Sequence, residues 1–348
     1  MIDVAFVIPG DINTLTGGYA YDREVLRRLP GLGFAARHVA LPASFPEPTA
    51  DDLAATSRIL SELPPTTILL IDGLAFGAMP SSLVAQIRQP IVALVHHPLG
   101  YETGLAPERA AALVASERTA LTFAHRVVVT SPLTKRLLAS EFGVPVGAMT
   151  VAVPGTEKAP RTIAQSEPLH LLSVGSVSPR KAFDVLVDAL APLRDLDWRL
   201  TIAGSLARDA AAVETLKSAI ARHEFQSRIA LPGELRAPRL AKLYADASAF
   251  VLPSLFEGYG MVLGEAMARG LPIICTTGGA AAETVPNAAS LKVPPGDAAA
   301  LSDALGKLLR DAELRQRLSD ASWKTGSRLP DWGDTALYMA AVIREVRP

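Results

Sequence analysis

Short, mostly apolar runs recur along this chain, separated by stretches whose apolar residues return every three or four positions. The runs are Asp3–Ile8, Ala36–Leu41, Thr67–Ile71, Ile91–His96 and Arg126–Thr130, then Leu169–Val174, Trp198–Ala203, Ile229–Leu231 and Phe250–Leu252. Several are apolar at consecutive positions, which predicts strands buried on both faces. Helical spacing fills the intervals, as in Pro107–Ala124, in the series Phe183, Leu186, Val187, Leu190, and in Leu301–Leu318. Strands and helices in alternation predict an α/β fold with doubly wound parallel sheets, whose ligands sit beyond the carboxyl ends of the strands.

A chain of 348 residues that is 49% hydrophobic is long enough for two cores. The polar, proline-containing stretch from Gly155 to Glu167 marks the boundary, giving domains 1–160 and 161–329, with a last helical segment in 330–348. The opening MIDVAFVIPG has no basic residues ahead of its apolar ones and breaks at Pro9-Gly10, so it is expected to be a strand and not a signal peptide. No apolar run approaches the roughly 18 to 20 residues of a membrane span. A single cysteine, Cys275, excludes an intrachain disulfide and suggests a reducing compartment, so a cytoplasmic location is expected. The net charge of −1 gives nucleic-acid binding no support. The mixed segment Asp22–His38, with Arg23, Arg27, Arg28 and Arg37, admits at most peripheral contact with an anionic membrane; a solvated helix face is its more ordinary reading.

The richest chemistry lies between Ala249 and Thr277. There an apolar run stopped by Pro253 leads to a loop with Glu257, a helix with Glu265 ended by Gly270, and a second apolar strand. The N–H groups that open a helix lack partners and carry partial positive charge, so Gly258, Tyr259, Gly260, Met261 and Val262 form a candidate anion seat. Two glutamates beside an anion seat have separate uses if the ligand carries hydroxyl groups on either side of a phosphate, as a nucleotide sugar does. Two other strand-to-helix turns carry candidate ligand groups: Gly17-Gly18, where glycines allow positive φ and close approach, and Arg180-Lys181, whose charges can neutralise phosphates. His96 and His97 stand at the end of a strand, where structural hydrogen bonding is an equally ordinary role. Asp195-Leu-Asp197 has the spacing of a metal-binding pair but reads as a solvated turn. Thr130-Ser131-Pro132 reads as a helix cap.

The run from Glu257 to Ile274, with its seven-residue spacing to Glu265, both glycines, Glu-Ala-Met-Ala and Gly-Leu-Pro, resembles the E-x7-E signature of the retaining glycosyltransferases of family four. That resemblance implies the GT-B fold, two Rossmann-like domains facing a cleft, with the terminal segment Trp332–Val346 crossing back onto the first. It implies metal-independent transfer of a hexose from a nucleoside-diphosphate sugar to a hydroxyl acceptor on a saccharide, lipid or small molecule, with no cofactor. Donor binding is carried over to Gly18, Arg180, Lys181, Glu257, Gly258, Tyr259, Gly260, Met261, Val262 and Glu265. Catalytic roles fall to Glu257, His96, Lys181 and Arg180. In this sequence Ser176 stands where the family's first arginine usually is, Ala182 replaces a glycine, and His97 replaces an aspartate. Gly278-Gly279 and Glu283 resemble a downstream structural segment. A nucleotide-sugar epimerase on the same fold stays open; a nicotinamide-dependent oxidoreductase is disfavoured because neither half shows G-x-G-x-x-G after its first strand.

Overall fold

The computed structural model describes residues 1–162 and 167–346. Residues 163–166 of the proline-containing boundary stretch, and the last two residues of the terminal segment, lie outside the described residues. Two compact units divide the chain: Met1–Gly155 with Pro330–Pro348, and Thr156–Leu329.

In the first unit the apolar runs form β1 (Ile2–Pro9), β2 (Phe34–Leu41), β3 (Ile68–Asp72), β4 (Ile91–Val95), β5 (Arg126–Val129) and β6 (Met149–Val151). They make one parallel sheet in the order β2-β1-β3-β4-β5-β6. The chain winds outward from β1 to β2, then crosses to β3 on the other side, so the winding reverses between β1 and β3. The helix Trp332–Glu345 belongs to this unit and buries Trp332, Met339 and Ile343. Its start is crowded against the end of the unit's first segment: a Cβ on Gly155 would overlap the backbone of Asp331 and Trp332.

The second unit holds β7 (Leu169–Val174), β8 (Trp198–Ala203), β9 (Ile229–Gly233), β10 (Ala249–Leu252), β11 (Ile273–Thr276) and β12 (Ser290–Val293). Its parallel sheet runs β12-β11-β10-β7-β8-β9, and here the winding reverses between β7 and β10. Side chains alternate between two cores, as strand geometry requires. Leu171, Ile202, Val251 and Ile274 pack on one face, while Leu172, Phe250, Leu252, Ile273 and Cys275 pack on the other. Burial on both faces is why these strands read as continuous apolar runs.

Three expectations are corrected. The helix foreseen over Leu301–Leu318 is two helices, Ala298–Arg310 and Ala312–Gly326, because the Asp311 side chain accepts from the Leu314 N–H, 2.8 Å, and caps a new helix. Gly17 and Gly18 are not in a loop: they open the helix Gly17–Arg28, capped by Thr16, and neither has positive φ. Asp22 is not on a solvated face but is wholly buried. Strands β6 and β12, short and partly polar, had no apolar run to announce them. Among the described residues no helix is long and apolar enough to cross a membrane.

Candidate functional site

β7 and β10 are neighbours, so the loops leaving their carboxyl ends meet. The loop after β7 ends in a short 3-10 turn, Pro179–Lys181, and passes through Ala182 at φ 48°, ψ 41° into the helix Phe183–Leu190. An alanine in the left-handed region costs roughly 1–2 kcal/mol. The turn is locked to the loop after β10 by the Leu255 N–H donating to the Arg180 carbonyl, 2.7 Å, and by Arg180 Nη1 donating to the Phe256 carbonyl, 2.9 Å. Lys181 folds back over Gly175, where a Cβ would lie 2.9 Å from Lys181 Cε, and its Nζ donates to Glu257 Oε1 at 2.6 Å. Arg180 Nη1 stands 3.4 Å from the same oxygen. Two cations thus converge on one carboxylate whose residue is only 6% exposed. Burial pushes the Glu257 carboxyl up, but Lys181 and Arg180 outweigh it and hold the group below its ordinary value.

The Glu257 backbone is clasped by the segment after β11. Its N–H donates to the Gly278 carbonyl, 3.3 Å, and its carbonyl accepts from the Ala280 N–H, 2.7 Å. A Cβ on Gly278 would overlap the Leu255 carbonyl, and one on Gly279, at φ 66°, the Glu257 carbonyl. These two glycines let two backbones touch.

Gly258 to Val262 lead into the helix Met261–Met267, with Gly260 as its N-cap at φ 87°. Thr284 Oγ1 donates to the Tyr259 carbonyl, 2.7 Å, and ties this loop down. Burial raises the Tyr259 hydroxyl to about 12, so it stays protonated. Glu265 follows on the helix. Its Oε2 accepts from Tyr244 Oη at 2.8 Å, and Arg269 caps the Tyr244 ring at 4.6 Å while donating to the Glu265 carbonyl, 2.9 Å. Burial raises the Glu265 carboxyl despite the Tyr244 hydrogen bond and the Arg269 charge.

The first unit has its own cluster at the carboxyl ends of β1, β3 and β4. His96, just past β4, places Nε2 3.0 Å from Asp22 Oδ1 and 3.7 Å from Asp72 Oδ2. Tyr21 meets the His96 ring edge-on with centroids 5.0 Å apart. Gly18 lies over the ring, where a Cβ would be 3.5 Å from Cδ2. His97 points elsewhere, 4.0 Å from Glu102.

Residues 156–325 match the family model described as glycosyl transferases group 1. That segment is a glycosyl transferases group 1 domain. The expectation drawn from the Glu257–Ile274 run is therefore met at the level of the family. The chain is 30% identical over 244 residues to a D-inositol 3-phosphate glycosyltransferase of Pseudarthrobacter chlorophenolicus, covering 64% of this chain and 57% of that one. Over 162 residues identity to a sucrose-phosphate synthase of Zea mays is 32%, covering 42% of this chain and 15% of that one. The chain thus spans about half the length of the glycosyltransferase relatives, and far less of the plant synthase. Among solved structures, a sucrose-phosphate synthase from Thermosynechococcus elongatus superposes with TM-score 0.83 at 22% identity, over 99% of this chain and 98% of that one. Anabaena HepE, solved in complex with UDP-glucose, gives 0.78 at 16% identity, over 98% of this chain and 99% of that one. The fold is the GT-B fold expected from the resemblance, each unit a doubly wound parallel sheet.

Within the group 1 domain the structure brings Arg180, Lys181 and Glu257 into contact and sets Gly258 to Val262 and Glu265 on the following loop and helix. In the first unit it brings Gly18 to His96. Asp195 and Asp197 sit in the turn before β8, as read. Among the described residues, the group whose spacing could take a metal ion is instead Asp22, Asp72 and His96, with ligand atoms within 4.8 Å of one another. Tyr244, Asp22 and Asp72 were missed. A polar residue closing the apolar run Ile68–Asp72 was a legible signal for Asp72; Asp22, set among arginines, gave none.

Proposed function

We propose that this chain is a retaining, metal-independent glycosyltransferase that moves a hexose from a nucleoside-diphosphate sugar to a hydroxyl acceptor on a saccharide, lipid or small molecule. The observation that carries the reading is the meeting of Arg180 and Lys181 with Glu257 where the winding of the second sheet reverses, the place where open α/β sheets bind ligands. Two cations against one carboxylate leave these three groups with one positive charge in excess, which suits a diphosphate. As the bond to the sugar breaks, charge grows on that leaving group and meets fixed cations and the N–H groups opening the helix at Met261, without reorganisation. Glu265, aligned by Tyr244, accepts from ribose hydroxyls. Glu257 accepts from hydroxyls of the transferred sugar and favours positive charge at its anomeric carbon. His96 takes a sugar hydroxyl at the first unit's own reversal point. The UDP-glucose complex of HepE makes uridine nucleotides the first donors to try.

The test is thermal shift with UDP, GDP, ADP and NAD, then donor turnover with and without sugar and lipid acceptors, in buffer containing chelator. One nucleoside diphosphate is expected to stabilise the protein, and NMR of the product's anomeric proton is expected to show the donor's configuration. Stabilisation by NAD alone, or by no nucleotide at millimolar concentration, defeats the proposal. Interconversion of donor sugars without acceptor marks an epimerase instead.

A further inference from the structure

The cluster around His96 contains more than a single contact to a sugar requires. Asp22 comes from the helix after β1, Asp72 is the last residue of β3, and His96 follows β4, so three segments converge where the first sheet's winding reverses. Asp22 is 0% exposed and Asp72 3%. Asp72 Oδ1 accepts from the Leu74 N–H at 2.6 Å, which leaves its Oδ2 toward His96. Asp22 Oδ1 faces His96 Nε2, while Asp22 Oδ2 is buried with no donor among the described residues. Two carboxylates this close and this dry do not both ionise. A proton on Asp72 supplies the donor that Asp22 Oδ2 lacks. Burial raises both carboxyls, and the ligand atoms of Asp22, Asp72 and His96 lie within 4.8 Å of one another, so one proton serves the pair. Arg23 is the cation acting on Asp22, and the Tyr21 hydroxyl is occupied by the Ala152 carbonyl at 3.0 Å.

We propose that Asp22 and Asp72 act as one unit carrying a single shared proton, and that this unit fixes the His96 ring with its own proton on Nε2, so that Nδ1 is offered as the acceptor for a hydroxyl hydrogen. A neutral imidazole has one donor and one acceptor nitrogen, and the partner of one decides the other. An anionic Asp22 Oδ1 at 3.0 Å demands N–H at Nε2. Nδ1 has no hydrogen-bond partner among the described residues, and the side chain keeps 22% of its surface exposed. Asp22 and Asp72 are thus positioning residues that act through His96. The inference rests on the transferase reading only for the identity of the hydroxyl, not for the state of the ring.

The experiment is long-range proton–nitrogen NMR on chelator-treated protein labelled with nitrogen-15 histidine, at about pH 7.5, where an ordinary histidine is mostly neutral. The His96 signals are assigned by their loss in His96→Asn. Wild type is expected to show His96 as the Nε2–H tautomer. Asp22→Ala is expected to give a tautomer mixture, whereas Asp72→Asn keeps Nε2–H because its amide N–H takes the place of the shared proton and Asp22 stays anionic. The other histidine signals report that each variant is folded. An Nδ1–H tautomer in wild type, unchanged signals in Asp22→Ala, or a tautomer mixture in Asp72→Asn each overturn the proposal. Selective broadening of His96 by stoichiometric Mn2+ overturns it in favour of a cation site. None of these readouts needs a sugar nucleotide, so failure here and failure of the transferase reading are separable.

Discussion

Lys181 matters to Glu257 beyond what a surface lysine would, because both side chains are buried and the carboxylate has few other means of staying charged. Removing one member of such a pair leaves the other uncompensated, at a cost of about 3–5 kcal/mol when nothing else is near. Arg180, 3.4 Å away, softens this. Lys181→Ala is therefore expected to lose about 2–3 kcal/mol in urea unfolding, below that range because Arg180 remains. Its turnover is expected to fall about 10²- to 10³-fold, the scale seen when a charge-stabilising donor is removed. Unchanged turnover would contradict the diphosphate assignment. Because Glu257 titrates below its unfolded value, its contribution is present above the unfolded pKa and disappears as pH falls through the folded one.

Glu117 has the opposite sign. It is 1% exposed, its Oε2 accepts from the Leu99 N–H at 2.9 Å, and burial raises it to about 8. Between roughly pH 4 and 8 the folded protein holds a proton there that the unfolded chain has released, so this group's contribution to stability falls as pH rises across that window. Glu117→Gln keeps an acceptor for Leu99 and removes the titration. Denaturant midpoints from pH 5 to 8 are expected to fall less steeply in the variant than in wild type; parallel slopes would refute the assignment. Glu257 and Glu265 were legible because their spacing and the glycines between them announced them, and Lys181 because it stands beside Arg180 in a strand-to-helix turn. Asp22, Glu117 and Tyr244 were not, because a polar residue on a helix reads as solvated until the tertiary fold buries it.

Turns, more than strands, decide where the chemistry sits. The turn after β7 takes Ala182 into left-handed backbone, so Ala182→Gly is expected to raise stability by about 0.5–1 kcal/mol, part of the strain being offset by the freer unfolded chain. Calorimetry decides, and a loss would mean that the buried methyl matters more than the backbone. Gly278→Ala acts in the other direction: its Cβ collides with the Leu255 carbonyl, and it is expected to cost about 1–3 kcal/mol and to displace Glu257, read as lost stabilisation by nucleotide. Strand positions followed from apolar runs, yet helix ends did not always follow from periodicity. Leu301–Leu318 keeps its apolar spacing straight through Asp311, and only the capping bond reveals the break.

For the molecule as a whole, two domains followed from length and from a strand alternation that restarts near Leu169. Which unit owns the last helix was suggested only by the family resemblance, since nothing local in Trp332–Glu345 names its partner. Trp332, Met339 and Ile343 are buried in the first unit's structure, each worth about 1.5–3 kcal/mol in apolar burial. Deleting 330–348 is expected to make segments of 1–155 sensitive to protease while 170–320 resists; uniform resistance would show that the helix is dispensable.

That ownership reaches back to the birth of the protein. A ribosome delivers the amino end first, and domains generally fold in that order. Here the leading unit cannot close when its first 155 residues emerge, because its missing helix is encoded after the entire trailing unit. The unit translated first is completed only after the one behind it, and until that helix emerges the seat for Trp332 stays exposed on the nascent chain.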